Sequence, residues 1–145
     1  MNELKELRVN DQRLLLNDNL VKSAILPKVS SELDRDIVIQ GDTIIEGAVY
    51  ARCFEIQKGK LEVQGAVFAQ IELHVNNDAK GSALFQKAVG STDSIVSLAP
   101  SFRTIFQADI NAKQVKLRNA FVAGSIFADE IVLEDCIVIG GVFAS

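Results

Sequence analysis

Few side chains in this 145-residue sequence can do catalytic chemistry, and they lie far apart. His74 is the only histidine, and it is predicted to point outward because it alternates with the apolar Leu73 and Val75. We interpret it as a solvated or interface residue rather than a general base. Cys53 and Cys136 have no histidine near them in sequence. Both are predicted to be reduced thiols without a nucleophilic role.

The sequence also lacks the ligand sets of common metal and nucleotide sites. A three-histidine zinc site cannot form from one histidine unless other residue types replace two ligands, and two cysteines are too few for a four-thiolate site. There is no GxxxxGK[ST] loop to cradle phosphates. We therefore expect a protein that is not an enzyme and that has no catalytic residues, metal or cofactor.

Composition restricts the partners and the compartment. The formal charge of −4 gives no general attraction for nucleic acid or anionic lipid, so nucleic acid is not an expected partner. With 48% apolar and 23% charged residues, the chain is predicted to fold as one domain. No apolar run reaches the ~20 residues that span a bilayer. The start MNELKELRVN is too charged for a signal peptide, so a cytoplasmic location is predicted.

One short phrase recurs along the chain. It reads GAVYA from Gly47 and GAVFA from Gly65, an offset of 18, and later copies follow one another at offsets of 16. These later copies begin at Ala108, Gly124 and Gly140. A weaker copy, GSALF from Gly81 to Phe85, leaves a long third interval that is expected to carry an insertion near KAVGSTDS.

Each phrase is followed by further short runs in which apolar and polar residues alternate, as in Phe54-Glu55-Ile56. Alternation at period two is typical of a strand with one buried face. Several strands in so short a repeat leave no room for a helix of average length. The sequence therefore predicts an all-β fold, a single-stranded parallel β-helix of about six coils over residues 36–145, preceded by a leucine-rich segment at 1–35.

Stacked coils bring equivalent residues into columns. A β-branched column is predicted from Val49, Val67, Ile110, Ile126 and Val142. A small-residue column is predicted from Ala51, Ala69, Ala112, Ala128 and Ala144. The glycines at Gly47, Gly65, Gly124 and Gly140 are expected to mark a corner where a larger side chain would crowd the backbone.

The stretch IEGAVYARCFEIQKGKLEVQGAVFAQIELHV resembles the bactofilins, which are polymer-forming bacterial cytoskeletal proteins. The resemblance covers roughly residues 36–145. It implies a right-handed β-helix and a nucleotide-independent filament former that assembles through its end coils. It also implies a scaffold in the cytoplasm or at the inner face of the membrane, with itself and other scaffold clients as partners. The sequence leaves membrane association open.

Two surfaces are predicted to support assembly. The last coil is apolar and carries no polar cap, so its unpaired strand edge is expected to be a polymer contact. The residues predicted for this contact are Ile137, Ile139, Val142 and Phe143. The outward position beside the β-branched column is mostly aromatic, which is typical of an interface. This second set is Tyr50, Phe68, Phe127 and Phe143.

The apolar residues of the first segment offer a cover for this aromatic column. They are Leu14, Leu15, Leu16, Leu20, Val21, Ile25 and Leu26. We expect the segment to fold back along the column, with lateral association or a partner protein as the competing arrangements. Two other functions stay open: a left-handed β-helix acyltransferase, which the offset of 18 keeps in consideration, and a monomeric β-helix binding module.

Overall fold

In the computed structural model, residues 1–4, 13–26 and 35–145 are described, and they contain nineteen β-strands. The strands are β1 (Asn2–Glu3), β2 (Arg13–Leu16), β3 (Asn19–Val21), β4 (Asp36–Ile39), β5 (Thr43–Ile45), β6 (Val49–Ile56), β7 (Gly59–Val63), β8 (Val67–Val75), β9 (Gly81–Phe85), β10 (Val89–Ser91), β11 (Ser94–Ser97), β12 (Phe102–Phe106), β13 (Ile110–Asn111), β14 (Gln114–Arg118), β15 (Ala120–Val122), β16 (Ile126–Ala128), β17 (Glu130–Glu134), β18 (Ile137–Val138) and β19 (Val142–Ala144). The pairings among these strands are parallel throughout.

The strands stack in three rows, whose outer surfaces we call faces 1, 2 and 3. Face 1 is the row β1-β3-β5-β7-β9-β12-β15-β18. Face 2 consists of the first parts of β6 and β8, followed by β10, β13, β16 and β19. Face 3 consists of β2, β4, the second parts of β6 and β8, then β11, β14 and β17. Each circuit of the chain visits face 3, face 1 and face 2 in that order, which makes the fold a parallel β-solenoid.

Among the described residues the solenoid has seven coils rather than the six predicted. We number them by their residues: coil 1 is 13–26, coil 2 is 36–51, coil 3 is 53–69, coil 4 is 72–91, coil 5 is 94–112, coil 6 is 114–128 and coil 7 is 130–144. On face 2 the step in residue number is 18 from Val49 to Val67 and 16 at each of the last two steps. The other three steps are longer. They run from Ile25 to Val49, from Val67 to Val89 and from Val89 to Ile110. The predicted repeat is therefore kept in only half of the steps.

The additional coil is the first one, and it corrects the predicted domain boundary. Leu14 lies opposite Ile37 and Val21 lies opposite Ile45, so residues 13–26 continue the parallel stacking. The expectation that this segment lies across the aromatic column is wrong for these residues. Their apolar side chains alternate at period two, and the inward ones enter the core at or near zero exposure.

The third copy of the repeat was also misplaced. GSALF belongs to face 1, where Gly81 lies opposite Gly59, and it is not equivalent to GAVFA. The equivalent on face 2 is Val89 to Ser91, inside the stretch predicted to be an insertion, with Val89 opposite Val67. The motif was hidden because Lys87 stands at the position equivalent to Gly65.

The predicted columns are confirmed, with the missing coils added. The β-branched column is Ile25, Val49, Val67, Val89, Ile110, Ile126 and Val142. Two positions on, Ser91 continues the alanine column next to Ala69. On face 1, Phe85 and Phe106 stack in the core with ring centroids 5.1 Å apart. One continuous apolar core thus runs through the coils.

Two kinds of corner turn the chain between faces. Between faces 1 and 2 the backbone of adjacent coils touches, and a Cβ on Gly65 would lie 2.4 Å from the carbonyl carbon of Gly47. Between faces 3 and 1 the turn contains a residue of positive φ in five of the seven coils. These residues are Gly59 and Gly81 in coils 3 and 4, and residues that tolerate left-handed backbone, Asp18, Asn119 and Asp135, in coils 1, 6 and 7.

Gly90 differs from the other glycines. Its added Cβ would meet only the backbone oxygen of Asn111 and a ring carbon of Phe68, each at 3.6 Å, which is ordinary contact. Its φ does not lie in the left-handed region. Nothing in the packing or the backbone of the coil requires a glycine at this position.

We expect Gly65→Ala to lower the free energy of unfolding by about 1 to 3 kcal/mol, because the new methyl group meets rigid backbone of the neighbouring coil. The matched control, Gly90→Ala, is expected to leave stability unchanged or raise it by about 0.4 to 1 kcal/mol, since alanine restricts the unfolded chain. Urea unfolding followed by circular dichroism measures both. Equal losses for the two variants would contradict the difference between these corners.

Candidate assembly interface

The C-terminal pole of the solenoid exposes core side chains. Val142 lies at the end of the β-branched column and is 47% exposed, whereas Ile25 at the other end is fully buried. Of the other inward residues of coil 7, Ala144 is exposed, and four are only partly buried: Ile131, Leu133, Cys136 and Val138. Strands β17, β18 and β19 are each the last in their row, so within the described part of the chain their outer edges lack strand partners. The pole therefore combines apolar side chains with unpaired backbone groups.

The four residues predicted for this contact divide into two groups. Only Val142 is directed inward, opposite Ile126. Ile137 and Phe143 belong to outward columns of faces 1 and 2, where they lie opposite Phe121 and Phe127. Ile139 is 66% exposed at the following corner. The inward residues of β17 and β18 were not among the residues predicted for this contact.

On face 2 the predicted aromatic column is present and outward. Leu26 adjoins it at coil 1, next to Tyr50. Tyr50 and Phe68 have ring centroids 5.2 Å apart, and Phe127 and Phe143 stack at 5.0 Å. Between these two pairs the column is interrupted at coils 4 and 5, where Gly90 and Asn111 stand.

The interruption forms part of a surface cavity of about 490 Å³. It extends along the face from Leu26 and Tyr50, past Phe68 and Gly90, to the ring of Phe127. Its lining includes the polar side chains of Asp109 and Asn111. One oxygen of the Asp109 carboxylate accepts a hydrogen bond from the backbone N–H of Ser125 at 2.9 Å.

A second apolar column on face 1 was not predicted. Its members, one from each coil, are Leu20, Ile44, Glu62, Leu84, Ile105, Phe121 and Ile137. Glu62 is the charged member of this set, and its two carboxylate oxygens accept hydrogen bonds from Gln64 and Gln86 at 3.3 Å. The members lie a whole coil apart in sequence, so only the register reveals that they form one line.

Face 3 brings together ionisable residues that are distant from one another in sequence. Cys53 lies opposite Glu72, and Glu55 lies opposite His74, so the thiol and the only histidine share this face. Both line a cavity of about 220 Å³. Arg52 binds Asp36 in a bidentate ion pair, with Nε to Oδ1 at 2.8 Å and Nη2 to Oδ2 at 2.7 Å.

The surroundings of Cys53 keep its thiol protonated. Partial burial raises the pKa of this thiol, and the carboxylates of Asp36 and Glu72 raise it further, against the opposing effect of Arg52. A thiolate, not a thiol, is the nucleophile. The convergence of Cys53 and His74 therefore does not produce an activated cysteine.

Metal binding finds no support among the residues described. Within 1–4, 13–26 and 35–145, no three His, Cys, Asp or Glu side chains are grouped so that they could hold a metal ion. In the same ranges no helix is both long and apolar enough to cross a membrane.

We expect Cys53 to react with iodoacetamide more slowly in the folded chain than in urea, because its raised pKa lowers the thiolate fraction at any given pH. Glu72→Gln should move the rate profile to lower pH, since a carboxylate that raises the pKa is removed. Glu130→Gln changes the same outward column at coil 7 and should have no effect. Mass spectrometry of the labelled peptides measures these rates, and equal shifts in both variants would contradict a local cause.

Comparison with protein-family models, with curated proteins and with solved structures found no match for this chain. The geometry of the solenoid, its C-terminal pole and its faces is therefore what supports a function.

Proposed function

We propose that this chain is a non-catalytic structural protein that assembles end to end through the C-terminal pole of its β-solenoid and serves as a scaffold. The observation that carries the proposal is the half-exposed end of the core at coil 7, where Val142 is 47% exposed. Monomeric solenoids need a polar cap on each end to stay soluble as monomers. Coil 7 instead presents an apolar surface.

Backbone geometry supports the same contact. An unpaired parallel edge is a template for another strand, and among the described residues coil 7 has three such edges, one on each face. A second copy that docks on this pole covers the inward side chains and pairs the open strands in one step. The contact thus uses the same two kinds of interaction, apolar packing and strand pairing, that join the coils within one chain.

The two ends of the solenoid differ, and this difference indicates the form of the contact. In coil 1 the inward Leu16, Val21 and Ile25 are completely buried. Because the exposed core among the described residues lies at coil 7, the contact best supported joins two C-terminal poles about a two-fold axis. Such an isologous contact closes on itself, so a filament needs a further contact elsewhere on the chain.

The proposed scaffold role rests on the resemblance of the coil phrase to the bactofilins. In this proposal the protein supplies length, stiffness and repeated surfaces rather than a reaction. The apolar columns on faces 1 and 2 are available for self-association or for client proteins.

We expect Val142→Lys to abolish assembly through the pole, because a charge would be buried in the contact without a partner. Val132→Lys is the matched control: Val132 is also in coil 7 and is 46% exposed, but it points outward on face 3. Negative-stain electron microscopy and sedimentation velocity, without nucleotide and across a range of protein concentration, compare the two variants with the unaltered chain.

Assemblies that disappear with Val142→Lys and persist with Val132→Lys are the expected result. Equal behaviour of both variants, either assembled or dispersed, would overturn the contact at the pole. Circular dichroism on each variant checks that the strands are retained.

A further inference from the structure

We propose that face 2 is a self-complementary interface, on which a second copy of this chain packs antiparallel, with the Tyr50–Phe68 ridge of each copy in the Gly90–Asn111 notch of the other. This contact is separate from the pole and does not require it. The occupant is inferred from the shape of the face itself.

The notch at Gly90 and Asn111 is open because Gly90 has no side chain, although the fold has room for one there. A Cβ there would make only ordinary contacts at 3.6 Å, in contrast to the backbone clashes at the corner glycines Gly47, Gly65 and Gly124. The absence of a side chain at Gly90 therefore shapes the surface of face 2 and is not required for the packing of the coil. It interrupts the outward column between the rings of Phe68 and Phe127.

The ridge and the notch have the same length. The ridge is two rings from adjacent coils, with centroids 5.2 Å apart, and the notch spans the next two coils. A two-fold axis that passes between coils 3 and 4, parallel to the strands, relates coil 3 to coil 4, coil 2 to coil 5 and coil 1 to coil 6. Phe68 then faces the partner copy at Gly90, Tyr50 faces Asn111, and Leu26 faces Phe127.

The polar groups also match in this register. Tyr50 carries a hydroxyl at the end of its ring, and Asn111 is the position that it meets in the other copy. An amide both donates and accepts, so it can satisfy the tyrosine hydroxyl where the contact buries it. The alternative of seating Phe127 and Phe143 in the notch overlaps four coils instead of six and leaves Tyr50 and Phe68 uncovered.

The contact is small. Six coils at ~4.8 Å spacing and a strand of three residues give a patch of about 24 by 10 Å, well below the ~800 Å² per partner of a standard stable interface. We therefore expect a weak, concentration-dependent dimer. Contacts repeated along an assembly would act together, so a weak face suffices there. With the two-fold contact at the pole, this second two-fold contact would also extend pairs into a filament.

Cysteine cross-linking tests the register. In a Cys53→Ser, Cys136→Ala background, one chain carries Tyr50→Cys and another carries Asn111→Cys, and the two are mixed with a mild copper oxidant that oxidises paired thiols. We expect a disulfide-linked heterodimer from the mixture and no dimer from either chain alone. Positions 50 and 111 are three coils apart, ~14 Å, so they cannot be bridged within one chain.

Two mixtures serve as controls. Tyr50→Cys with Phe143→Cys places both thiols on the same face but out of register, and Gly90→Cys with Phe143→Cys reports the shorter overlap. Dimers from Tyr50→Cys alone would mean that coil 2 of one copy lies opposite coil 2 of the other. That result, or equal yields from matched and mismatched mixtures, would overturn the proposal.

A non-covalent measurement supports the cross-links. Gly90→Phe fills the notch and is expected to raise the dissociation constant of the dimer about tenfold or more, since the partner ridge can no longer enter. Leu84→Phe adds bulk at an outward position of the same coil on face 1 and should have no effect. An unchanged dissociation constant with Gly90→Phe would refute the pairing.

Sedimentation equilibrium on the Val142→Lys background isolates face 2 from the pole. If assemblies larger than the face 2 dimer persist with Val142→Lys and the matched cross-link forms, the contact at the pole fails and the face stands. If assemblies vanish and the matched cross-link is absent, only the pairing on face 2 fails.

Discussion

The parallel hydrogen-bonded ladder between coils is the interaction on which the rest of this structure depends. It holds each residue above its equivalent in the coil below, at the fixed strand spacing of ~4.8 Å. A side chain directed inward in one coil must therefore pack against its counterpart in the next. This is why Val49 and Val67 are β-branched, and why Gly65 has no room for a side chain above Gly47.

The same ladder orders the outer surface. Residues that are distant in sequence form straight lines on each face, so single outward positions add up to continuous surfaces. Face 2 becomes aromatic, face 1 becomes apolar around Glu62, and face 3 gathers Cys53, Glu72 and His74. In a solenoid of this kind, one outward residue from each coil contributes to a surface nearly as long as the molecule.

Nothing in the hydrogen-bonded ladder itself limits the number of coils that can stack. Every coil is stabilised by the one before it and offers the same groups to the one after it, so the end of a solenoid is a surface for further stacking unless something covers it. At coil 1 the inward residues are fully buried, and at coil 7 they are not. This difference gives the rod a direction, and it is the reason for proposing the C-terminal pole as the assembly contact.

The sequence by itself determined the class of fold and the identity of the core columns, because alternation at period two and a recurring phrase report local geometry directly. It also located the aromatic residues of face 2. The tertiary structure decided the register through coils 1, 4 and 5, where Lys87 disguises the phrase and the coils are longer than the repeat. It alone decided that Leu14, Leu16, Val21 and Ile25 belong to the core, that Phe121 and Ile44 share a line, and that Gly90 opens a notch. Those features depend on which residues are stacked across coils, and stacking is a long-range pairing that no local pattern records.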